Sequence, residues 1–241
     1  MLEVKNITKK FHGRKVVDGL SFTVDKGQVL GLIGANGAGK STCVSMISTL
    51  LKPDAGEILF DGTNIVSNPD AIRRRMGFVP QDIALYETLS GRDNLKFWGK
   101  SYGVAANELN AAIERVCKII SFDADMLKKR VDEYSGGMKR RLNIGVALLH
   151  NPELVILDEP TTGIDIKSGN QILEAIEQLR EQGTAIIYVG HYLEEVERIS
   201  THLCIMDQGH GLAFGSLDEL LGTGESRMGL TQLYTKLCGT N

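Results

Sequence analysis

The chain has no apolar run that approaches the roughly 18 residues a membrane-spanning helix needs. If the protein works at a membrane, another chain must supply the span. Cysteine is scarce and scattered. Cys43, Cys117, Cys204 and Cys238 form no C-x-x-C pair, which argues against zinc and predicts buried free thiols in a reducing cytosol. An excess of one charge is also missing. Lys and Arg total 27 against 30 Asp and Glu, a net charge of −3, so bulk electrostatics offers nucleic acid nothing. The basic runs Lys128-Lys129-Arg130 and Lys139-Arg140-Arg141 are short and read as solvated helix or loop faces. No internal repeat and no low-complexity linker appears. Met1-Leu2-Glu3-Val4-Lys5 predicts an opening strand rather than a secretory leader. The 241 residues, 42% hydrophobic and 24% charged, suit one large globular domain or a core with a subdomain.

Against these absences stands one stretch, Gly34-Ala35-Asn36-Gly37-Ala38-Gly39-Lys40-Ser41-Thr42. It fits the phosphate-loop pattern G-x-x-x-x-G-K-[ST], and its setting fits too. The apolar run Val29–Ile33 leads into it, and a helical stretch, Cys43 to Leu51, leads out. Glycines let successive backbone N–H groups turn inward towards phosphate oxygens, and a helix starting near Lys40 adds its positive end. Lys40 supplies a full charge for β- and γ-phosphates, and Ser41 a hydroxyl for Mg²⁺.

Strands are predicted over Leu2–Thr8, Val16–Val24, Val29–Ile33, Glu57–Phe60, Met76–Val79, Leu154–Leu157, Thr184–Val189 and His202–Met206, with a tight turn at Asp61-Gly62. Helical segments near Lys167–Gln182 and Leu193–Ser200 alternate with the later strands. That alternation predicts an α/β fold with a parallel sheet and helices on its faces. From about residue 90 to 149 helical pattern dominates; Leu109, Ala112, Ile113, Val116 and Ile119 recur at helical spacing. The expected organisation is a core of residues 1–89 and 150–221 with an inserted helical subdomain, followed by a tail, 222–241. Within that tail Gly229–Cys238 is a candidate helix.

Leu154-Val155-Ile156-Leu157 is an apolar strand ending in Asp158 and Glu159. Alone, two acids after a strand make an ordinary turn. Behind a phosphate loop, Asp158 is placed to hold Mg²⁺ through water and Glu159 to polarise an attacking water. Ser135-Gly136-Gly137 opens a helix running to about His150; alone it is a common helix cap, but Gly137 precedes Asp158 by only 21 residues.

Gly34–Thr42, Gln81, Ser135–Gly137, Leu154–Glu159, Gly163-Ile164-Asp165 and His191 occur in the order and spacing of the ATP-binding cassette (ABC) ATPases, and the resemblance covers residues 1–221. It implies a phosphate-loop core with an N-terminal antiparallel β region, ATP and Mg²⁺ as ligands, and a cassette dimer enclosing two ATP. Carried over by position, Phe11 stacks on adenine and Gln81 reaches Mg²⁺ and senses a membrane partner. Ser135, Gly136 and Gly137 bind the γ-phosphate of ATP held by the opposite subunit. Gly163–Asp165 contacts that subunit, and His191 contacts the γ-phosphate. Without the resemblance, Phe11 reads equally well as a core aromatic at a strand end. His12, His150, His202 and His210 match nothing and read as surface or structural.

Three positions depart from the common pattern: Tyr134-Ser135-Gly136-Gly137-Met138 for L-S-G-G-Q, Ile164 for leucine, and Val189-Gly190 before His191. Met138–Leu142, Gln81–Tyr86, Asn94-Leu95 and Tyr102-Gly103 are similar to cassettes of ABC-2 type exporters of drugs, peptides, sodium or polysaccharides. No T-E-V-G-E-R-G-like stretch precedes Ser135, which argues against the fused multidrug class. The resemblance therefore implies a peripheral subunit on the cytoplasmic face of the cell membrane. It would pair with a second cassette, identical or sister, and with separate permease subunits. A soluble cassette acting on DNA or ribosomes fits less well, since such proteins usually have two cassettes or a long coiled coil, and Gln81 and Ser135 are only 54 residues apart. An importer cassette is disfavoured by the Tyr134–Met138 variant.

Overall fold

The computed structural model describes residues 1–239; Thr240 and Asn241, the last two residues of the predicted tail, lie outside the described residues. Strands β1 (Leu2–Phe11), β2 (Arg14–Val24) and β3 (Val29–Gly34) precede helix α1 (Lys40–Ile47). Then come β4 (Ala55–Phe60), β5 (Thr63–Asn64), α2 (Asp70–Arg73) and β6 (Met76–Val79). Helices α3 (Gly91–Ser101), α4 (Leu109–Ile119), α5 (Ala124–Lys128) and α6 (Gly136–Leu148) lie between β6 and β7 (Leu154–Asp158). The chain continues through α7 (Ile166–Glu181), β8 (Ala185–Val189), α8 (Leu193–Ile199), β9 (His202–Asp207) and β10 (His210–Ser216). It closes with α9 (Leu217–Leu221) and α10 (Leu230–Cys238), the helix expected in the tail.

Two sheets pack against each other. One is antiparallel, in the order β2-β1-β4-β5; the other has the order β10-β9-β3-β8-β7-β6. In the second sheet β6, β7, β8, β3 and β9 run parallel, and β10 is antiparallel to β9. The expected parallel sheet is therefore present, and this antiparallel edge strand adds to it. Its sequence, HGLAFGS, carries two glycines and is mostly exposed, so it lacks the continuous apolar run that marks the central strands. The Gln208-Gly209 turn joins it to β9 with φ of 46° and 88°. Asp61-Gly62, with φ of 47° and 76°, makes the predicted tight turn between β4 and β5.

The central strands alternate between two apolar cores, as the two-residue strand period requires. Val29, Ile33, Val155, Leu157 and Ile186 face the helices. Leu30, Leu32, Leu154, Ile156 and Ile187 face the antiparallel sheet, where they meet Leu20, Phe22 and Phe60. All are essentially inaccessible, and each fully buried side chain of this kind contributes about 1.5–3 kcal/mol. Because the strands are parallel and pinned on both faces, their carboxyl ends come together along one edge. That edge carries Gly34, Asp158 and Val189.

Helix α6 departs from the sequence expectation at its basic run. Arg140 and Arg141 are not solvated: they are only 5% and 6% exposed. Arg141 donates to the carbonyls of Ile120 and Ser121, and its guanidinium lies 5.1 Å from the Phe122 ring. The helix is enclosed on nearly all sides, so even its cations need buried acceptors. Lys128 and Lys129 are exposed, as expected.

Candidate nucleotide site

The phosphate loop turns at the carboxyl end of β3 and feeds α1, whose first residue is Lys40. Gly39 is required twice. Its φ is 101°, and a Cβ there would press on the Val16 carbonyl. Lys40 is 7% exposed, and its Nζ donates to the carbonyls of Gly34 (2.7 Å) and Ala35 (3.1 Å). Its ammonium is therefore held at the turn of the loop. Burial lowers its proton affinity, and the nearby Glu159 and Asp158 charges oppose that shift.

A cavity of about 590 Å³ opens at this edge, within the size range of small-molecule sites. Asn36, Gly37, Gly39, Lys40, Ser41 and Thr42 line one part of it; Gln81, Asp158, Glu159 and His191 line the rest. Residues far apart in sequence are thus brought together. Val16 and Val189 complete the wall and were missed. Both are plain strand valines, and no spacing rule ties them to the motif. Gly34, Ala35 and Ala38 shape the loop without lining the cavity. Phe11 ends β1 with 42% exposure, which excludes the core-aromatic reading, and it too lies off the cavity wall. Ser135, Gly136 and Gly137 are likewise absent from the wall.

The acids differ in environment. Burial pushes the Asp158 carboxyl above its usual range and the Glu159 charge adds to this; Lys40 and Arg140 pull it back. Glu159 sits just past β7 with φ of 47°, unusual for a non-glycine residue. Its N–H donates to the Val189 carbonyl at 2.9 Å, which fixes that conformation. Its Oε2 accepts from Gln81 Nε2 and Thr162 Oγ1, each at 3.2 Å, and lies 3.6 Å from His191 Nδ1.

Helix α6 holds the Gln81 loop from behind. Arg140 donates to the Pro80 carbonyl (2.9 Å), and Asn143 Oδ1 accepts from the Ala84 N–H (3.2 Å). The Ser135 side chain caps α6 by accepting from Met138 N–H at 3.3 Å. Gly137 packs directly on Ser168, leaving no space for a Cβ, while a Cβ on Gly136 would meet open space. Ser168 is in the first turn of α7, which Asp165 caps. The Ser135–Gly137 segment and the Gly163–Asp165 loop are therefore neighbours in one chain.

The fold and the cavity define a phosphate-loop nucleotide-binding protein. A family model described as ABC transporter matches residues 17–162, and the chain belongs to that family, as an ATPase cassette. Among its relatives is the linearmycin resistance ATP-binding protein LnrL of Bacillus subtilis, 46% identical over 220 residues, which are 91% of this chain and 70% of that protein. The Nod factor export ATP-binding protein I of Burkholderia lata is 36% identical over 228 residues, covering 95% of this chain and 74% of its own length. Among solved structures, an ATP-binding subunit of an ABC transporter has a TM-score of 0.87 at 30% identity, covering 98% of this chain and 99% of its own. The dimeric structure of MJ0796, a bacterial ABC transporter cassette, has a TM-score of 0.80 at 25% identity over 90% of this chain and 99% of its own.

Proposed function

We propose that this chain is the ATP-hydrolysing subunit of an ABC-2 type exporter, acting at the cytoplasmic face of the membrane through separate permease subunits. The observation that carries the reading is the convergence of Lys40, Asp158, Glu159, Gln81 and His191 on one cavity. The names of its relatives, antibiotic resistance and Nod factor export proteins, support the export direction. Among the described residues no helix is long and apolar enough to cross a membrane, which is consistent with a span supplied elsewhere.

In this reading the amides of the phosphate loop and Lys40 hold the triphosphate of ATP, with Phe11 against the adenine. Ser41, Gln81 and Asp158 present a hydroxyl, an amide oxygen and a carboxylate to the same cavity, a donor set that suits Mg²⁺. Bound there, Mg²⁺ would neutralise charge on the phosphate oxygens. Glu159 takes a proton from a water as its oxygen attacks the γ-phosphorus and ADP leaves. His191 orients that water and the γ-phosphate. Ser135, Gly136 and Gly137 complete the site of a second cassette, identical or sister, so that two subunits enclose two ATP. That Ser135–Gly137 stand off their own chain's cavity supports this. Residues 1–221 form the cassette, with residues 90–149 as its helical part, and closure is relayed to the permease through the Gln81–Leu95 surface.

The test is a tagged pull-down from detergent-solubilised cells. Recovery of a stoichiometric integral membrane protein, with ATPase activity in the eluate, is the expected result. Recovery of ribosomes or DNA instead would favour the non-transport cassette.

A further inference from the structure

Behind the cavity, Glu195 gathers two hydroxyls on one oxygen. Its Oε2 accepts from Tyr188 OH at 2.8 Å and from Thr161 Oγ1 at 2.6 Å, and the two hydroxyls are 3.2 Å apart. Tyr188 is 1% exposed and Thr161 6%. Burial pushes the Tyr188 phenol far above its ordinary value, so it remains a donor at working pH. None of the three lines the nucleotide cavity.

Each is nevertheless tied to a residue that does. Thr161 precedes Thr162, whose hydroxyl donates to Glu159 Oε2. Tyr188 precedes Val189, whose carbonyl holds the Glu159 N–H. Glu195 lies in the first turn of α8, four residues after His191. A closed circuit results. It runs from His191 along the chain to Glu195, across to Thr161 and Tyr188, on to Glu159, and back to His191 over 3.6 Å. The circuit ties the turn after β7 and the start of α8, which lie outside the sheet, to the end of β8, which is paired on both sides within it.

We propose that Tyr188, Thr161 and Glu195 are positioning residues for hydrolysis, holding the His191 segment at a fixed distance from Glu159. This rests on the reading of Glu159 and His191 as the pair that handles the attacking water. The phosphate loop is outside the circuit, so loosening it should affect turnover and leave ATP affinity alone. An ångström of misplacement between reacting groups can cost about 100-fold in rate, and one lost hydrogen bond in a shared network should cost about 10-fold.

The experiment uses the full-length chain, with Glu159→Gln as a reference and the variants Tyr188→Phe, Thr161→Val, Glu195→Leu and Glu195→Gln. Melting temperature, KM for ATP and kcat are measured for each. Glu159→Gln should lower turnover by at least about 100-fold; if turnover stays near wild type, the site reading fails, and this inference with it. With that reference so impaired, Tyr188→Phe and Thr161→Val should lower kcat about 10-fold with KM within about twofold of wild type. Glu195→Gln keeps an acceptor oxygen and should retain most of the turnover that Glu195→Leu loses. Unchanged kcat in Tyr188→Phe and Thr161→Val overturns the inference while leaving the site reading intact. So does a fall in kcat that merely follows the folded fraction, or failure of both variants to fold, since either outcome marks the triad as structural only.

Discussion

His191 Nδ1 lies 3.6 Å from the Glu159 Oε2 that also accepts from Gln81 and Thr162. Three segments far apart in sequence therefore meet at one carboxylate oxygen. They are the loop after β6, the turn after β7 and the loop after β8. Glu159 is held there by its own backbone, in a left-handed conformation fastened to Val189. Its position comes from the sheet, and its chemistry from what surrounds it.

Replacing Glu159 with Gln keeps the shape and removes the carboxylate proposed as the base. Turnover should fall by about 10²–10⁴-fold while ATP still binds. Steady-state ATPase gives the first number. Size-exclusion with and without ATP should reveal a nucleotide-trapped dimer. Turnover near wild type would remove Glu159 from the role.

Asp158 makes a prediction about stability. Its carboxyl binds a proton more tightly in the folded chain than in the unfolded one, chiefly because it is buried. The folded state then binds more protons in this window, so its contribution to stability falls as pH rises from the unfolded value of about 3.9 through the raised folded value. At neutral pH the full cost is present. Asp158→Asn should therefore raise the melting temperature of the nucleotide-free protein at pH 7, with the gain shrinking towards pH 4. The same variant should lose the extra stabilisation that Mg²⁺ gives to ATP binding. Differential scanning calorimetry across pH measures both; an equal or lower melting temperature at pH 7 contradicts the assignment.

The two signature glycines should separate. A Cβ at Gly137 collides with Ser168, whereas one at Gly136 meets nothing in its own chain. Gly137→Ala should lower the melting temperature by about 4 °C, in keeping with overpacking costs of about 1–3 kcal/mol. Gly136→Ala should leave it within about 1 °C, since surface changes are nearly neutral, yet reduce ATPase activity. If both variants match wild type in activity, Gly136 has no task outside its own fold.

The phosphate loop and the Asp158-Glu159 pair were legible in the sequence because their chemistry demands local order: strand, glycine turn, helix, or strand then acids. Residues such as Gln81 and His191 were legible only through the spacing shared with a family. Strand β10 was missed because its glycines and exposed residues leave no apolar alternation to read. Arg140 and Arg141 were misread as solvated because a basic run is normally a wet face. Their neighbours Leu142, Ile144, Val146 and Leu148, with Gly145 against Val116 and Ile120, mark a helix enclosed on nearly all sides. The Tyr188–Glu195–Thr161 circuit had no sequence signal, since its members come from three elements that only the tertiary fold brings together.

The central claim is that each ATP is handled by two chains, the phosphate loop of one and Ser135–Gly137 of the other. Mixing two inactive variants tests it most directly. Lys40→Ala deletes the charge proposed to face the phosphates, and Ser135→Arg blocks the helix start proposed to oppose them. In a mixed dimer one site carries both lesions, and the other takes Lys40 from one chain and Ser135 from its partner. With subunit exchange verified by tag pull-down, ATPase activity should return to a substantial fraction of the wild-type rate. Activity that stays at background in verified mixed dimers would contradict the shared site.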